Sequence, residues 1–337
     1  IRDAQESRGL GDVYKRQFMD FNSFKDTITQ AQSIVILSHV NPDGDTLGTM
    51  CALYNAIKTN FAKEADMVYA GIIPEIYHFL PDIDKAKPAK DLAGKKYDLA
   101  IAVDVAAKDR MTDGLSIFDS AKKRINIDHH KTNNNYGDIN FVRGDASCAG
   151  EVLLDICEAL ALKIDKKTAW GIYTALLTDT GGFRYENTQA VTLEKAARVI
   201  QYGADPALIS RYCYESKPKN MVMLHANCMV NAKFYDDNKI ACVCITNADM
   251  AKFQAKNDYT EGIVEDLRRI DTTEVSFVLK EVDDNTTKAS LRSKSTDVSE
   301  IAQVFGGGGH KFAAGCTIRK PINIACDKML DEIRKVL

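Results

Sequence analysis

Six side chains able to grip a divalent cation close apolar or periodic segments of this sequence: His39, Asp43, Asp45, Asp104, His129 and Asp179. The centre of the set is Ile127-Asp128-His129-His130, where an acid and two adjacent imidazoles end the β-branched run Arg124-Ile125-Asn126-Ile127. Asp43 and Asp45, two apart in a loop after His39, can aim their carboxylates at two nearby points. Gathered in one crevice, so many acids would repel one another and lose hydration at great cost. Divalent cations remove the conflict, and a mixed imidazole and carboxylate set suits Mn2+, or Mg2+ where fewer nitrogens take part. Two ions roughly 3.5–4 Å apart, bridged by one carboxylate, form a clamp for phosphoryl transfer. Singly, each residue has a plainer reading: Asp104 or Asp179 as a turn or cap, Asp43-Gly44-Asp45 as a common turn. Their joint occurrence changes the balance. Four of the six His (His39, His129, His130 and His310) fall in motif positions, while His78 and His225 read as structure.

The elements that must carry these groups alternate. A short helix from Phe21 leads into a buried strand, Ser33 to His39; a helix follows from about Thr46 to Asn60. Ala65 to Ala70, Tyr97 to Asp104 and Arg124 to Asp128 read as further strands by their continuous apolar runs. Ser147 to Leu162 and Thr168 to Thr178 read as helices. Strands alternating with helices predict a doubly wound, mostly parallel sheet whose carboxyl ends open on a functional crevice.

Strand signals then stop. Thr192 to Tyr202, Pro206 to Tyr214 and Lys219 to Asn231 are helical by pattern, with Gly203 and Pro218 as breaks, and predict a helical linker. A smaller mixed α/β domain follows, with strands at Lys239 to Ile245, Glu274 to Val282, Lys288 to Ser293 and Cys316 to Arg319. Its helices fall near Gly262 to Ile270, at Val298 to Phe305 and at Ile324 to Leu337. The predicted organisation is a tail at 1–17 that is disordered or an upstream translation artefact, an α/β domain over 18–190, the linker over 191–232 and the small domain over 233–337.

Two stretches of this small domain carry anion chemistry. Gly306, Gly307, Gly308 and Gly309 precede His310, and their backbone N–H groups could approach a phosphate closely. Ser290-Leu291-Arg292-Ser293-Lys294 is a strand bearing basic and hydroxyl groups. In the larger domain Arg110 and Arg184 are candidates for bidentate phosphate contacts, with surface ion pairs as the alternative.

Composition narrows the partners. Apolar and charged fractions of 45% and 27% are those of a globular protein, and a net charge of −3 supplies no global field for long nucleic acid. Nine Cys without paired spacing predict reduced thiols in a cytoplasmic protein; Cys242 and Cys244 share a strand face and read as small core residues. No apolar run reaches membrane-spanning length, so no membrane partner is expected.

The segments HVNPDGDTLG (His39 to Gly48), VDVAAKDR (Val103 to Arg110), IDHH (Ile127 to His130), TDTGGFRY (Thr178 to Tyr185) and GGGGHKFAAG (Gly306 to Gly315) together resemble the DHH phosphoesterase superfamily. Within it the chain is most similar to the NrnA-like group of bifunctional oligoribonucleases and 3′-phosphoadenosine-5′-phosphate phosphatases. The resemblance covers nearly the whole chain from Phe21, with a DHH-associated domain at the end. It implies one Mn2+ on His39, Asp43 and Asp104 and a second on Asp45, Asp104, His129 and Asp179, with Mg2+ or Co2+ as substitutes. It implies that Asp128 is a nearby acid and that His130 stabilises charge or relays a proton beside the reacting phosphate. It places Arg292 by the bound nucleotide, and the small domain, through Arg292, Ser293, the glycines and His310, holds the far end of the substrate. The implied partners are short single-stranded RNA, dinucleotides and nucleotide bisphosphates, with a homodimer as a possible assembly. Alternatives are a cyclic- or linear-dinucleotide phosphodiesterase (acting on c-di-AMP or pApA), a RecJ-like exonuclease, a family II pyrophosphatase, and a non-catalytic nucleotide sensor.

Overall fold

The computed structural model describes residues 20–337, so the predicted tail at 1–17 lies outside the described residues. The chain divides into two compact units, with the boundary between Ser216 and Lys217.

In the first unit α1 (Phe21–Gln30) is capped by Asp20, whose carboxylate accepts from the Asn22 and Ser23 amides. It leads through β1 (Ile34–Val40) and α2 (Gly44–Phe61) to β2 (Asp66–Ala70) and the short β3 (Lys87–Pro88). β4 (Leu99–Val103), α3 (Leu115–Ser120), β5 (Lys123–Asp128) and β6 (Ile139–Val142) complete the sheet. Four helices follow: α4 (Ala149–Ala159), α5 (Lys166–Asp179), α6 (Ala190–Gln201) and α7 (Pro206–Tyr214). The strands lie in the order β3-β2-β1-β4-β5-β6 and every pairing is parallel. This is the predicted doubly wound sheet, and its order reverses between β1 and β4, where such sheets bind ligands.

Continuous apolar runs in the central strands make sense because both faces are covered. Ile34, Ile36, Leu99, Ile101, Ile125 and Ile127 point into a core shared with α1, α2, α4 and α5. Val35, Leu37, Ala100 and Ala102 point the other way, against Met111, Ile117 and Phe118. Glycines let α2 and α5 cross at very short range. A Cβ on Gly48 would lie 2.5 Å from the Gly171 carbonyl oxygen, and one on Gly171 would lie 2.4 Å from that of Gly48. The crossing sets the start of α2 against the end of α5, where a Cβ on Gly44 would meet the Thr178 hydroxyl at 2.5 Å.

The second unit opens with α8 (Lys219–Val230), β7 (Lys233–Tyr235), β8 (Ile240–Ile245), α9 (Asn247–Lys252) and α10 (Ile263–Arg268). β9 (Val275–Asp283), β10 (Thr286–Ser293), α11 (Val298–Val304), β11 (Gly308–His310), β12 (Ala313–Ile318) and α12 (Ile322–Ile333) follow. The mixed sheet has the order β11-β12-β10-β9-β8-β7, with β8 and β9 parallel and the other pairs antiparallel. α11 and α12 cover one face through Val298, Ile301, Met329 and Ile333. α8 and α10 cover part of the other through Leu224, Ile263, Val264 and Leu267.

The helical stretch over 191–232 is shared between the two cores. Ala196, Val199, Ile209 and Cys213 pack into the first unit, Leu224 and Cys228 into the second. Among the described residues, no helix is long and apolar enough to cross a membrane.

Candidate metal centre

Three strand ends and two helix ends deliver the acidic cluster. His39, near the end of β1, donates from Nδ1 to the Val40 carbonyl at 2.7 Å, and a carbonyl can only accept. That bond keeps the Nδ1 proton away from the cluster and turns Nε2 toward it, 2.7 Å from the Thr46 hydroxyl and 3.6 Å from Asp104 Oδ2. Asp43 caps α2 by accepting the Thr46 amide at 3.1 Å. Asp45 was expected in an extended loop; instead it lies in the first turn of α2, because the helix begins at Gly44. Its carboxylate is buried and reaches the start of α4, where the Ala149 and Gly150 amides donate to it at 2.7 and 3.1 Å. Thr49 adds a third bond at 3.0 Å. A helix N-terminus is a natural seat for an anion, and this one is taken by a side chain of the protein itself.

Asp104 follows β4 with a φ of 58°, in the left-handed region that a non-glycine side chain adopts at a cost. Its amide is held by the Ile127 carbonyl at 2.9 Å. The strained backbone turns the carboxylate so that its two oxygens face different partners. Oδ2 takes the Thr46 hydroxyl at 2.6 Å and faces His39. Oδ1 lies 3.5 Å from His129 Nε2 and 3.6 Å from His130 Nδ1, is fully buried, and accepts no hydrogen bond from any described residue. Buried polar atoms are rarely left so, and an orphaned carboxylate oxygen is where a cation fits.

His129 Nε2 sits among three acids, at 3.5 Å from Asp104, 3.7 Å from Asp45 and 3.8 Å from Asp179. Asp179 is the last residue of α5, where the helix dipole disfavours a carboxylate, and Asn187 donates to it at 3.2 Å. The charge conflict displaces the protonation equilibria of the groups. Burial and the Asp104 charge push Asp43 and Asp45 up. Burial, with Asp104 and Asp43 adding to it against the pull of His129, raises Asp179 to about 6. Burial alone would lower His129, but the close Asp104, Asp45 and Asp179 carboxylates raise it to about 10. Burial would raise Asp104 too, yet His129 and His39 hold it well below the carboxylate range.

His39, Asp43 and Asp104 offer ligand atoms within 4.8 Å of one another, as do Asp45, His129 and Asp179, and as do Asp104, His129 and His130. All six expected ligands are thus brought together, and the chemistry of the donor set fits divalent cations. His130 is separate in kind: Nδ1 lies 2.8 Å from Asp128 Oδ1, and Asp128 is wholly buried, its other oxygen taking the Asn133 amide group. Asp128 therefore orients His130. Among the described residues Arg110 and Arg184 make no ion pair; both are exposed, and Arg184 Nε donates to the Gly181 carbonyl.

Sequence reasoning passed over Thr46, Thr49, Asn133, Asn187 and the α4 amides. Thr46 and Thr49 follow Asp45 on one helix, a signal that could have been used; the amides of α4 carry none. α4 is itself anchored by a buried ionic network. Lys195 of α6 pairs with Glu151 at 3.0 Å and Asp155 at 2.6 Å, while Glu151 also accepts from the Ser147 amide and hydroxyl.

The residues expected to bind substrate from the second unit are partly regrouped. Gly306 and Gly307 spend their amides on the Gln303 and Ala302 carbonyls, closing α11, so those two N–H groups are not available to an anion. Gly308 to His310 pair with β12 rather than forming a loop. Arg292 and His310 both stand opposite Ala313, so they share a sheet face, and Arg292 is tied to Glu265 at 2.9 Å. Ser293 does not join them: strand alternation turns it inward, where it is 1% exposed and donates to the Thr296 carbonyl.

Residues 33–178 match the model of the DHH family, N-terminal domain, and residues 237–337 match that of the DHHA1 domain. The chain is 31% identical over 297 residues to a probable bifunctional oligoribonuclease and PAP phosphatase NrnA of Streptococcus mutans, spanning 88% of this chain and 92% of that protein. It is 28% identical over 297 residues to the bifunctional oligoribonuclease and PAP phosphatase NrnA of Bacillus subtilis, spanning 87% and 91%. A solved exopolyphosphatase-related protein of Bacteroides fragilis superposes with a TM-score of 0.87 at 25% identity, covering 94% of this chain and 95% of that one.

Proposed function

Since the chain belongs to the DHH family and is a hydrolase acting on phosphoester bonds, we propose that it cleaves short oligoribonucleotides to mononucleotides and 3′-phosphoadenosine-5′-phosphate to AMP, with two Mn2+ ions. The observation that carries the reading is Asp104, whose two oxygens face two separate clusters of ligands while one of them has no hydrogen-bond partner. His39, Asp43 and Asp104 would hold one ion, and Asp45, Asp104, His129 and Asp179 the other. Bound there, divalent cations supply charge to offset the carboxylates and lower the pKa of a water for attack on phosphorus.

The protein's own groups do the rest. The α4 amides and Thr49 fix Asp45, the Val40 carbonyl fixes the His39 tautomer, and Thr46 steadies Asp104. Asp128 holds the Nδ1 proton of His130, which leaves Nε2 to hold a proton for the leaving oxygen or to offset charge on the phosphate. Exposed Arg110 and Arg184 lie in the segments that also carry Asp104 and Asp179, and are assigned to phosphate contacts. Arg292 and His310 of the second unit are assigned to the nucleotide. The local character of these cations, in a chain of net charge −3, favours short substrates.

The test is a panel: bisphosphorylated adenosine, short RNAs, a cyclic dinucleotide and pyrophosphate, each with stripped protein and with added Mn2+. Hydrolysis of the bisphosphate and the RNAs only with metal is expected. Asp104→Asn, tolerated in the left-handed region, should lower turnover at least about a hundredfold. Full activity after chelation, or in Asp104→Asn, would overturn the scheme. Nucleotide binding without any turnover would instead mark a sensor.

A further inference from the structure

The uncovered part of the second sheet carries a groove of about 700 Å3 next to the glycine segment. Its lining includes Lys288, Ser290, Thr317, Arg319, Phe305 and Gly306. Resting on the oligoribonuclease reading above, we propose that this groove seats a further phosphate and base of a single-stranded oligoribonucleotide and so sets the chain length the protein prefers.

Strand geometry connects the groove to Arg292 and His310. Arg292, Ser290 and Lys288 alternate along β10, so their side chains share one face, separated by steps of about 7 Å. Across the pairing, Arg292 stands opposite Ala313, Ser290 opposite Gly315 and Lys288 opposite Thr317. A row of polar groups therefore runs from the Arg292–His310 end to the groove, with a spacing comparable to that of successive phosphates on an extended strand. The floor between is low, because Gly308 and Gly315 are paired there and neither carries a side chain.

The charges are also disposed for an anion. No acid lines the groove, and among the described residues neither Lys288 nor Arg319 makes an ion pair. Lys280 lies opposite Lys288 on β9 and adds an ammonium to this face, its Nζ donating to the Asn257 carbonyl and side chain. Half-buried Phe305 supplies an aromatic surface, and Ser290 and Thr317 supply hydroxyls. Cations beside an aromatic platform are the arrangement by which proteins hold single strands without reading sequence. A competing explanation is edge protection. β12 pairs with β11 only from Ala313 to Gly315, and cations next to the exposed edge beyond would discourage further strand pairing. Edge protection predicts no dependence on ligand length.

Binding of fluorescent riboadenylate dinucleotide and pentanucleotide to the full chain, in chelator, separates these explanations. The exposed pair is replaced in Lys288→Ala/Arg319→Ala, with Lys288→Arg/Arg319→Lys as the charge-conserving control. The alanine variant should weaken pentanucleotide binding about tenfold or more, from the loss of charge-assisted phosphate contacts. Dinucleotide binding should change by less than about twofold, and the control should behave as wild type. The slope of log affinity against log salt should fall by about 0.7 for each cation removed, for the pentanucleotide alone. Equal losses at both lengths, or no loss at either, would overturn the proposal. Turnover with added Mn2+ is scored separately: a wild-type chain that binds the pentanucleotide through the groove yet cleaves no RNA would refute the oligoribonuclease reading and leave the groove standing.

Discussion

Gly171→Ala tests whether the geometry of the acidic cluster is set by the crossing of α2 and α5. The added Cβ would lie 2.4 Å from the Gly48 carbonyl oxygen and 2.9 Å from the Ala52 amide nitrogen and Cβ, whereas ordinary contact begins at 3.4 Å. Two of those atoms are backbone and cannot rotate away, so the helices must part by about 1 Å. Overpacking of this size costs about 1–3 kcal/mol of stability. The functional cost should be larger than that number suggests. α2 carries Asp45 in its first turn and α5 ends on Asp179, and the ligand atoms of these two with His129 lie within 4.8 Å of one another. A displacement of about 1 Å at reacting groups costs on the order of a hundredfold in rate. The assay is calorimetric titration of stripped protein with Mn2+, alongside turnover of a dinucleotide and chemical denaturation. Ile172→Val, which trims the same helix without widening the crossing, is the control for stability loss alone. Both variants should lose stability, and only Gly171→Ala should lose metal affinity and turnover. If Gly171→Ala binds Mn2+ and turns over within about twofold of the control, the crossing does not set the site.

Two further outcomes test the scaffold. Lys195→Met should cost about 3–5 kcal/mol in denaturant unfolding, because it leaves the Glu151 carboxylate buried without its cation; a loss like that of a surface substitution would mean water reaches the network. Asp82 is drawn down to about 2, since hydrogen bonds and charge from Lys167 and Lys85 outweigh the effect of burial. A depressed carboxyl stabilises above its unfolded value of about 3.9 and loses that contribution as pH falls through the folded value. Wild type should therefore exceed Asp82→Asn in stability at neutral pH, and the gap should close toward pH 2; a gap constant with pH would assign the effect to packing.

Much of the first unit could be read directly from the chain, for a physical reason. Parallel strands covered on both faces must be apolar throughout, so Ile34 to Leu37 and Leu99 to Val103 announce themselves, and the His39 and Asp104 that follow them stand out by contrast. Short pieces leave no such signal: β3 has two residues and β6 four, too few to display a period. Asp45 reads as loop in the sequence because Gly44 obscures the start of a helix whose cap is Asp43. The resemblance implies a shared role for Arg292 and Ser293, but a strand sends neighbours to opposite faces and Ser293 is buried. In the sequence the glycine segment reads as a cradle of free amides, but closing α11 and pairing with β12 use backbone groups that only tertiary structure reveals. The support given by the α4 amides to Asp45 lies beyond any reading of residue types, since every residue but proline has a backbone N–H.

Asp104 imposes a constraint on how this centre can be altered. Because a single carboxylate looks toward His39 with one oxygen and toward His129 with the other, replacing it disturbs both halves at once. Asp43 and Asp179 each belong to one half only. A chain disabled on one side, with its neighbour left whole, is therefore reachable through those outer acids and closed off at the middle one.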